Sequence, residues 1–383
     1  MRFIAGPRQC GKTTIAKFHL HHTNCSNLYY NWDIRKTKSL FYVNNDFFYD
    51  DLITAPGDKK WLCFDEIHKM PKWKNLLKGY FDEFEGKTYF IITGSARLDL
   101  MKKSGDSLTG RYFLYKLFPL IYNEIETNRT ILNPPVSARN FIETRLSTKS
   151  HKNTIDSLLE HSGFPEPFLK NNKIFLKKWR DDFTDRLIKD DLRDLTGIHD
   201  VEKVATLLEL LPSKIGNPLS LNSMREDLGV SHTSIRSWLR SLELTYSVFT
   251  LSAYSKKITR SIKKEKKLYL FDWSRISDPA LRFENYIACE LLAQTAYWNE
   301  FSNDTFDLNY IRTKDGKETD FLITRSSVPW LLIECKYSET FIEKHHIIHS
   351  RMLGGIPVVQ LSYNCNTVKK IDNTWQVPAE RFL

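Results

Sequence analysis

The sequence predicts an α/β fold that is divided into several domains. Short apolar segments alternate with helical patterns over about the first 125 residues, which indicates a mostly parallel sheet covered by helices. Two helical patterns separated by a glycine-containing turn follow between residues 221 and 249, and the end of the chain returns to mixed helix and strand. With 383 residues, of which 41% are hydrophobic, the chain can bury more than one core.

The first predicted domain, residues 1–126, contains the parallel sheet. Five of its segments are short, apolar and bounded by polar residues, as strands are. These segments are residues 2–5, 28–31, 61–64, 89–93 and 113–117. Helical patterns lie between them, for example at residues 71–84.

A phosphate-binding loop is predicted directly after the first strand. The stretch GPRQCGKT fits the pattern G-x-x-x-x-G-K-[ST] and precedes a helical run. In such a loop the backbone N–H groups face a phosphate, the lysine reaches the β- and γ-phosphates, and the hydroxyl holds Mg²⁺ at a helix N-terminus. Thr13 is therefore the predicted metal ligand. The predicted nucleotide-binding residues are Gly6, Pro7, Arg8, Gln9, Cys10, Gly11, Lys12, Thr13 and Thr14.

Two acids follow the third predicted strand. Asp65 and Glu66 come directly after the apolar residues 61–64. A buried strand that ends in an acid delivers a carboxylate to the Mg²⁺ region at the carboxyl edge of a parallel sheet. Asp65 is expected to bind nucleotide and orient the water shell of the metal, and Glu66 is expected to polarise the attacking water. The alternative is an ordinary strand end with two acids.

Three further residues are candidates for the same site. Ser95 follows the fourth predicted strand and could bond the γ-phosphate or the attacking water. Arg97 and Arg111 could supply the positive charge that stabilises the transition state, in the same chain or in a second copy of it. Each arginine could equally be a salt-bridged surface residue.

The ordered set of motifs resembles the prokaryotic AAA-type predicted ATPases that carry an uncharacterised C-terminal domain. The motifs are GPRQCGKTT, CFDEIHKMPKW, ITGSARLDL and SLTGRYFLYKLFPL, and the resemblance continues through GFPEPF to E-T-D-F and I-E-C-K near the end. It implies ATP binding and hydrolysis on a P-loop core, a winged-helix module and a nuclease-like terminus. One departure is that only five residues precede Gly6, so adenine is expected to pack elsewhere unless this start is short.

The remaining chain is assigned to three domains. A segment with adjacent prolines, residues 127–140, opens a linker and helical region that extends over residues 127–215. Residues 216–275 are assigned to a winged helix–turn–helix, and residues 276–383 to a C-terminal α/β domain that resembles restriction endonucleases.

The helix–turn–helix is predicted from its turn and its apolar spacing. One helix ends near Leu228, Gly229 and Val230 form the turn, and Ser231 caps the second helix. Helical spacing puts one set of side chains on the buried face, namely Ile235, Leu239 and Leu242. The opposite face would meet a major groove if DNA is bound, and it presents His232, Ser234, Arg236, Ser237 and Arg240.

Charge favours DNA as the partner. The chain has 56 basic and 46 acidic residues, a net charge of +10, and residues 256–267 contain seven basic residues and one acid. Four lysines of this run, Lys263, Lys264, Lys266 and Lys267, are expected to neutralise phosphates. The alternatives are a winged helix that packs only against protein and a lysine run that is simply solvated.

A second metal site is predicted in the last domain. Residues 318–339 form a predicted hairpin with a turn at Ser326, Ser327 and Pro329, which brings Asp320 near Glu334. Strand alternation puts Glu334 and Lys336 on one face. The carboxylates could share Mg²⁺ while Lys336 orients or activates a water for attack on a phosphodiester. The helical residue Glu284 is a further predicted ligand.

This trio resembles the D…E-x-K arrangement of restriction endonucleases, in the element order α-β-β-α-β. Cleavage of DNA and mere gripping of DNA or protein are both open. The favoured function is therefore an ATP-driven enzyme acting on DNA, and the alternative is a nucleotide-controlled regulatory protein with an inert terminal domain. A small-molecule kinase is disfavoured because nothing supplies its substrate pocket.

Other sequence features concern the cellular location and the oligomeric state of the protein. The six cysteines are scattered without a CxxC pair, and neither a signal peptide nor a membrane span is visible, so a cytosolic protein with no membrane partner is expected. An arginine acting in trans would require a homo-oligomer. Two adjacent histidine pairs lack ligand spacing and are predicted to face solvent, namely His21, His22, His345 and His346.

Overall fold

The computed structural model describes residues 1–70, 72–94, 108–126, 134–147, 150–192, 200–255 and 265–383. Four residues of the predicted sites, Ser95, Arg97, Lys263 and Lys264, lie outside these ranges. The chain forms two units, of which the first comprises Met1–Pro119, Arg186–His199 and Leu244–Tyr246. The second comprises Leu120–Asp185, Asp200–Glu243 and Ser247–Leu383. The four-domain division remains a prediction.

A five-stranded sheet forms the centre of the first unit. All neighbouring strands are parallel, and their order is β2-β3-β4-β1-β5. The strands are β1 (Arg2–Ala5), β2 (Tyr29–Asn31), β3 (Lys60–Asp65), β4 (Thr88–Gly94) and β5 (Phe113–Lys116). The five predicted strands are therefore confirmed, each end within one residue of its predicted place.

Helices connect these strands. They are α1 (Lys12–His22), α2 (Arg35–Val43), α3 (Tyr49–Thr54) and α4 (Trp73–Glu83), the last of which confirms the helix predicted at 71–84. The apolar strand residues are buried, as in Phe3, Phe64 and Phe90. Since β1, β3 and β4 are parallel, their carboxyl ends share one edge of the sheet, and the phosphate loop leaves β1 at that edge.

The second unit begins with helices. Those before the helix–turn–helix are α5 (Tyr122–Glu126), α6 (Ala138–Leu146), α7 (Lys152–His161), α8 (Pro165–Lys170), α9 (Lys173–Arg186) and α10 (Val201–Leu210). Ser137 caps α6, since its side chain accepts from Asn140 N at 3.1 Å. A π-helical turn, Leu187–Leu192, continues from α9 and belongs to the first unit.

The predicted helix pair is present. The helices are α11 (Leu221–Leu228) and α12 (His232–Leu244). Gly229 ends α11 at φ 62°, where glycine is favoured, and Ser231 Oγ accepts from Ser234 N at 3.0 Å as a cap. The three side chains predicted to be buried, Ile235, Leu239 and Leu242, are buried.

A two-stranded hairpin follows α12. Its strands are β6 (Val248–Ser252) and β7 (Lys266–Leu270), which pair antiparallel. Lys266 is exposed, but the Lys267 side chain is 1% exposed. An ammonium that is buried in the protein cannot neutralise a DNA phosphate, so the predicted phosphate contact is wrong for Lys267.

A six-stranded mixed sheet forms the C-terminal part of the second unit. In sheet order the strands are β12 (Lys369–Ile371), β13 (Thr374–Pro378), β11 (Val358–Asn364), β10 (Val328–Ser338), β9 (Glu318–Arg325) and β8 (Phe306–Arg312). The accompanying helices are α13 (Pro279–Phe301), α14 (Lys344–Met352) and α15 (Ala379–Phe382). The predicted order α-β-β-α-β therefore omitted β12, β13 and α15 at the end and β8 near the start. The polar residues Asp307 and Asn309 interrupt the apolar pattern of β8.

The hairpin β9–β10 has a tighter turn than predicted. Ser326 and Ser327, at φ 49° and φ 66°, make the whole turn. Pro329 lies in β10, paired with Thr324, at a register shift before Leu331. This corrects the assignment of Pro329 to the turn. No helix of the described ranges has both the length and the apolar character needed to cross a membrane.

Candidate functional site

The phosphate loop connects β1 to α1 with backbone geometry that its glycines allow. A Cβ atom on Gly6 would lie 2.1 Å from Leu117 O, so a larger residue does not fit there. Gly11 has φ 100°, in the left-handed region, and is the N-cap of α1. Lys12 Nζ donates to Gly6 O at 3.0 Å and to Pro7 O at 2.7 Å. The loop thus closes around the ammonium group that is expected to meet phosphate.

The other loop residues have structural partners or face outward. Cys10 is buried, and its Sγ donates to Pro7 O at 2.9 Å. Arg8 forms a bidentate pair with Asp191, from Nε to Oδ2 at 3.0 Å and from Nη2 to Oδ1 at 2.8 Å. Gln9 has φ 61°, and Thr14 is exposed on α1.

Asp65 is the centre of the polar network beside the loop. Its side chain is 1% exposed, and its Oδ2 accepts from Thr13 Oγ1 at 2.8 Å. Tyr29 Oη and Asn31 Nδ2 also donate to Oδ2, at 2.5 and 3.1 Å, and Thr93 Oγ1 donates to Oδ1. The predicted metal pair, Thr13 and Asp65, is therefore in direct contact.

Tyr29 and Asn31 were not among the predicted site residues. Their signal was present, since two polar groups two residues apart lie on one face of a strand. At the end of β4, the hydroxyl of Thr93 also donates to Asp65 and so helps to orient its carboxylate.

Glu66 lies beyond the end of β3 in a left-handed conformation, φ 55° and ψ 38°. Its Oε2 atom is buried and makes no hydrogen bond in the part of the chain that the structure describes, with His68 Nδ1 3.5 Å away. Burial raises the pKa of Glu66, and Lys12 opposes that rise. Glu66 thus has a buried acceptor atom close to the loop lysine, which suits its predicted role of polarising the attacking water.

Arg111 lies at the amino edge of the sheet, whereas the phosphate loop lies at the carboxyl edge. Its carbonyl oxygen accepts from the amino group of Met1 at 2.9 Å, and it precedes β5, which runs parallel to β1. Gly6 lies at the other end of β1, about 16 Å away along the strand. Arg111 also pairs with Asp82, from Nε to Oδ1 at 2.9 Å and from Nη2 to Oδ2 at 3.2 Å. Arg111 is thus too far from the phosphate loop of its own chain for the predicted catalytic role. That role is retained only for a nucleotide bound to a second copy of the chain.

The residues at this edge fit a magnesium nucleotide. A hydroxyl and a carboxylate oxygen in contact, Thr13 and Asp65, are the ligand types that Mg²⁺ uses, and the metal normally keeps several waters. The loop backbone and Lys12 lie at the N-terminus of α1, which favours anions.

The second predicted site is also brought together. Asp320 N donates to Glu334 Oε2 at 3.3 Å, and Cys335 N donates to Asp320 Oδ2 at 2.9 Å. Lys336 Nζ lies 2.9 Å from Glu334 Oε1. The hairpin therefore places Asp320, Glu334 and Lys336 side by side, as predicted.

Glu284 is connected to this site through Lys267, which was predicted to contact a DNA phosphate. Lys267 Nζ lies 3.2 Å from Glu284 Oε1 and 3.6 Å from Asp320 Oδ1, and it also pairs with Glu318. Tyr269 Oη donates to Glu284 Oε1 at 2.9 Å. Within the described ranges no three His, Cys, Asp or Glu side chains are grouped so that they could hold a metal ion. With the Lys267 ammonium beside both Glu284 and Asp320, the arrangement does not fit Mg²⁺.

Three segments of the chain match known domain families. Residues 1–126 match the AAA domain. This match supports a P-loop ATPase domain of AAA type in this part of the chain. Residues 152–277 and 282–381 match two domains of unknown function (DUF8612 and DUF4143).

Three proteins from other organisms are similar to this chain over most of its length. Uncharacterized proteins of Mycobacterium bovis and Mycobacterium tuberculosis are each 22% identical over 336 residues, 85% of this chain and 68% of theirs. An uncharacterized protein of Haemophilus influenzae is 20% identical over 382 residues, 91% of this chain and 86% of its own.

Two solved structures show weak likeness. The Aeropyrum pernix ORC1 protein in complex with DNA has a TM-score of 0.33 at 13% identity, covering 76% of this chain and 87% of that one. The Bacillus subtilis DNA clamp loader delta protein has a TM-score of 0.27 at 12% identity, covering 78% and 95%. Scores of this size carry no conclusion about fold or function.

Proposed function

We propose that this protein hydrolyses ATP with Mg²⁺ and acts on DNA through its helix–turn–helix. The observation that carries the first part is the convergence of Lys12, Thr13, Asp65 and Glu66 at one edge of a parallel sheet. Bound Mg²⁺ would neutralise the charge that develops on the phosphates.

Each residue at this edge has a distinct part in the proposed reaction. The loop backbone and Lys12 bind the β- and γ-phosphates. Thr13 and Asp65 would hold the metal, and Tyr29 keeps Asp65 in place by its hydrogen bond. Glu66 orients a water and accepts its proton through the buried oxygen that makes no hydrogen bond within the described residues.

The support for DNA comes from the second unit. Helix α12 exposes Arg236, Ser237 and Arg240, and Lys266 is exposed at the start of β7. The chain has a net charge of +10. Cationic side chains on a helix that follows a tight turn suit contact with phosphates and base edges of a duplex.

ATP turnover with and without duplex DNA tests the proposal. We expect the parent to release phosphate and DNA to raise kcat severalfold at low salt. Lys12→Ala controls for contaminating ATPases and should show no turnover. Absence of turnover in the folded parent would overturn ATP hydrolysis. Turnover that ignores DNA at every salt concentration would instead support the nucleotide-controlled regulatory protein.

A salt titration tests the DNA-contacting residues. Arg236→Ala combined with Lys266→Ala should weaken DNA binding and reduce the slope of log K against log salt by about 1 for each phosphate that the variant no longer neutralises. The measurement is fluorescence anisotropy of labelled duplex at several salt concentrations.

The matched control for this titration removes two other exposed lysines, Lys177 and Lys178 on α9. This double alanine variant has the same net charge as the test variant. If the slope falls equally in both variants, the attraction is a non-specific response to net charge and the assignment to α12 and β7 fails.

A further inference from the structure

Lys267 lies at the centre of a group of partly buried acids in the second unit. It is on β7, pairs with Leu251 of β6 and is 1% exposed. Its Nζ contacts Glu284, Glu318 and Asp320, and the first and last of these are predicted ligands of Mg²⁺. We call Lys267 and these three acids the Lys267 cluster.

The acids of the Lys267 cluster come from two separate elements. Glu284 projects from α13, whereas Glu318 and Asp320 are two residues apart on β9 and so share one face of that strand. Burial by itself would lower the pKa of Lys267, but the three carboxylates together raise it. The Nζ atom of this lysine thus has carboxylates on several sides.

The remaining predicted ligand also has an ammonium partner. Lys336 Nζ lies 2.9 Å from Glu334 Oε1 and 3.5 Å from Glu343 Oε1. Each carboxylate predicted to bind the metal is thus paired with a lysine. A lysine beside Glu334 belongs to the D…E-x-K arrangement, but Lys267 does not, and its ammonium group would repel a dication close to Glu284 and Asp320. Mg²⁺ also requires oxygen ligands at about 2.0–2.1 Å in nearly octahedral geometry.

Buried carboxylates require a positive partner, whether a metal or a side chain. We propose that Lys267 is the resident cation of this cluster in place of a divalent metal, so that the C-terminal domain anchors the hairpin β6–β7 and does not cleave phosphodiester bonds. This inference is independent of ATP hydrolysis in the first unit.

Neighbouring contacts support an anchoring role. Tyr310 Oη, from β8, donates to Glu265 O at 2.8 Å, and Tyr254 N donates to Tyr310 O at 2.8 Å. On the other side, Asn285 of α13 exchanges hydrogen bonds with Leu270 of β7, at 2.8 and 2.7 Å. The hairpin is therefore attached to β8 beside one end of its strands and to α13 at Leu270, and the Lys267 cluster is the charged part of that attachment.

Binding of Mn²⁺ to the full chain without nucleotide tests the proposal, measured by electron paramagnetic resonance. All proteins carry Thr13→Ala, which removes the metal ligand of the phosphate loop. The Thr13→Ala protein is expected to bind no Mn²⁺ at the Lys267 cluster. Adding Lys267→Met, which keeps the length but removes the charge, should create a Mn²⁺ signal that Asp320→Asn abolishes. The exposed neighbour serves as matched control, since Lys266→Met should create none.

Lys267→Met leaves Glu284 and Asp320 without their ammonium partner and is expected to lower Tm. The protein with Lys267 intact therefore provides the decisive measurement. Mn²⁺ that binds to the Thr13→Ala protein and is lost on adding Asp320→Asn would overturn the proposal. So would Mn²⁺-dependent DNA cleavage that persists in Lys12→Ala and disappears in Asp320→Asn. No Mn²⁺ binding and no such cleavage would support it.

Discussion

Glu66→Gln is expected to lower kcat for ATP hydrolysis by about 10²- to 10⁴-fold, the usual contribution of a general base. The amide keeps the size of the side chain but cannot accept the proton of the attacking water. ATP affinity should change little, because phosphate binding rests on the loop and Lys12. Steady-state phosphate release and equilibrium binding of a fluorescent ATP analogue provide the two measurements.

Glu85→Gln is the matched control, since Glu85 is an exposed acid in the same unit. It should retain the kcat of the parent. A Glu66→Gln protein that keeps kcat but loses ATP affinity would show that Glu66 positions the nucleotide. The role of a base would then pass to another group.

Arg8→Ala is expected to destabilise the region around the phosphate loop by about 3–5 kcal/mol, the usual cost of removing one partner of a buried ion pair. Asp191 is 3% exposed and would lose both hydrogen bonds from the guanidinium. Hydrogen exchange of peptides that cover β1 and α1, followed by mass spectrometry, gives the opening free energy without assuming that both units unfold together.

A surface pair provides the comparison. Lys69 and Asp33 form an ion pair in the same unit, with side chains 24% and 51% exposed, and Lys69→Ala should cost only about 0–1 kcal/mol. Combining Arg8→Ala with Asp191→Asn should restore part of the stability, because the buried charge is then removed as well. Equal destabilisation in the single and double variants would mean that the loss does not come from leaving the Asp191 charge unpaired.

The sheet and the phosphate loop could be predicted because their signals are local. Each strand is a short apolar run, and the loop is defined by eight consecutive residues. The partners of Asp65 required knowledge of which strands are neighbours. Tyr29 and Asn31 reach Asp65 because β2 pairs with β3, and no pattern within β2 states that pairing.

The position of Arg111 depends on the direction of the strand that follows it. It precedes its strand, and a residue before a parallel strand lies at the amino edge, away from the nucleotide. The order of Arg111 and β5 along the chain is therefore enough to place this arginine at the amino edge.

Burial of polar residues was the least predictable property. Lys266 and Lys267 are adjacent in a lysine run, yet strand alternation turns one to solvent and the other to the acids of α13 and β9. The prediction for the histidines was right for His21 and His22, which are exposed, and wrong for His346, which is fully buried. His346 Nδ1 lies 2.8 Å from Thr319 Oγ1, because α14 packs against β9.

A cation that is part of the polypeptide cannot dissociate. The seam between the hairpin and the C-terminal sheet should therefore persist in EDTA and at any cellular supply of free magnesium. The carboxyl edge of the five-stranded sheet, where the phosphate loop lies, would then be the part that responds to ion availability. Chelation is therefore expected to stop nucleotide turnover and to leave α12 in place.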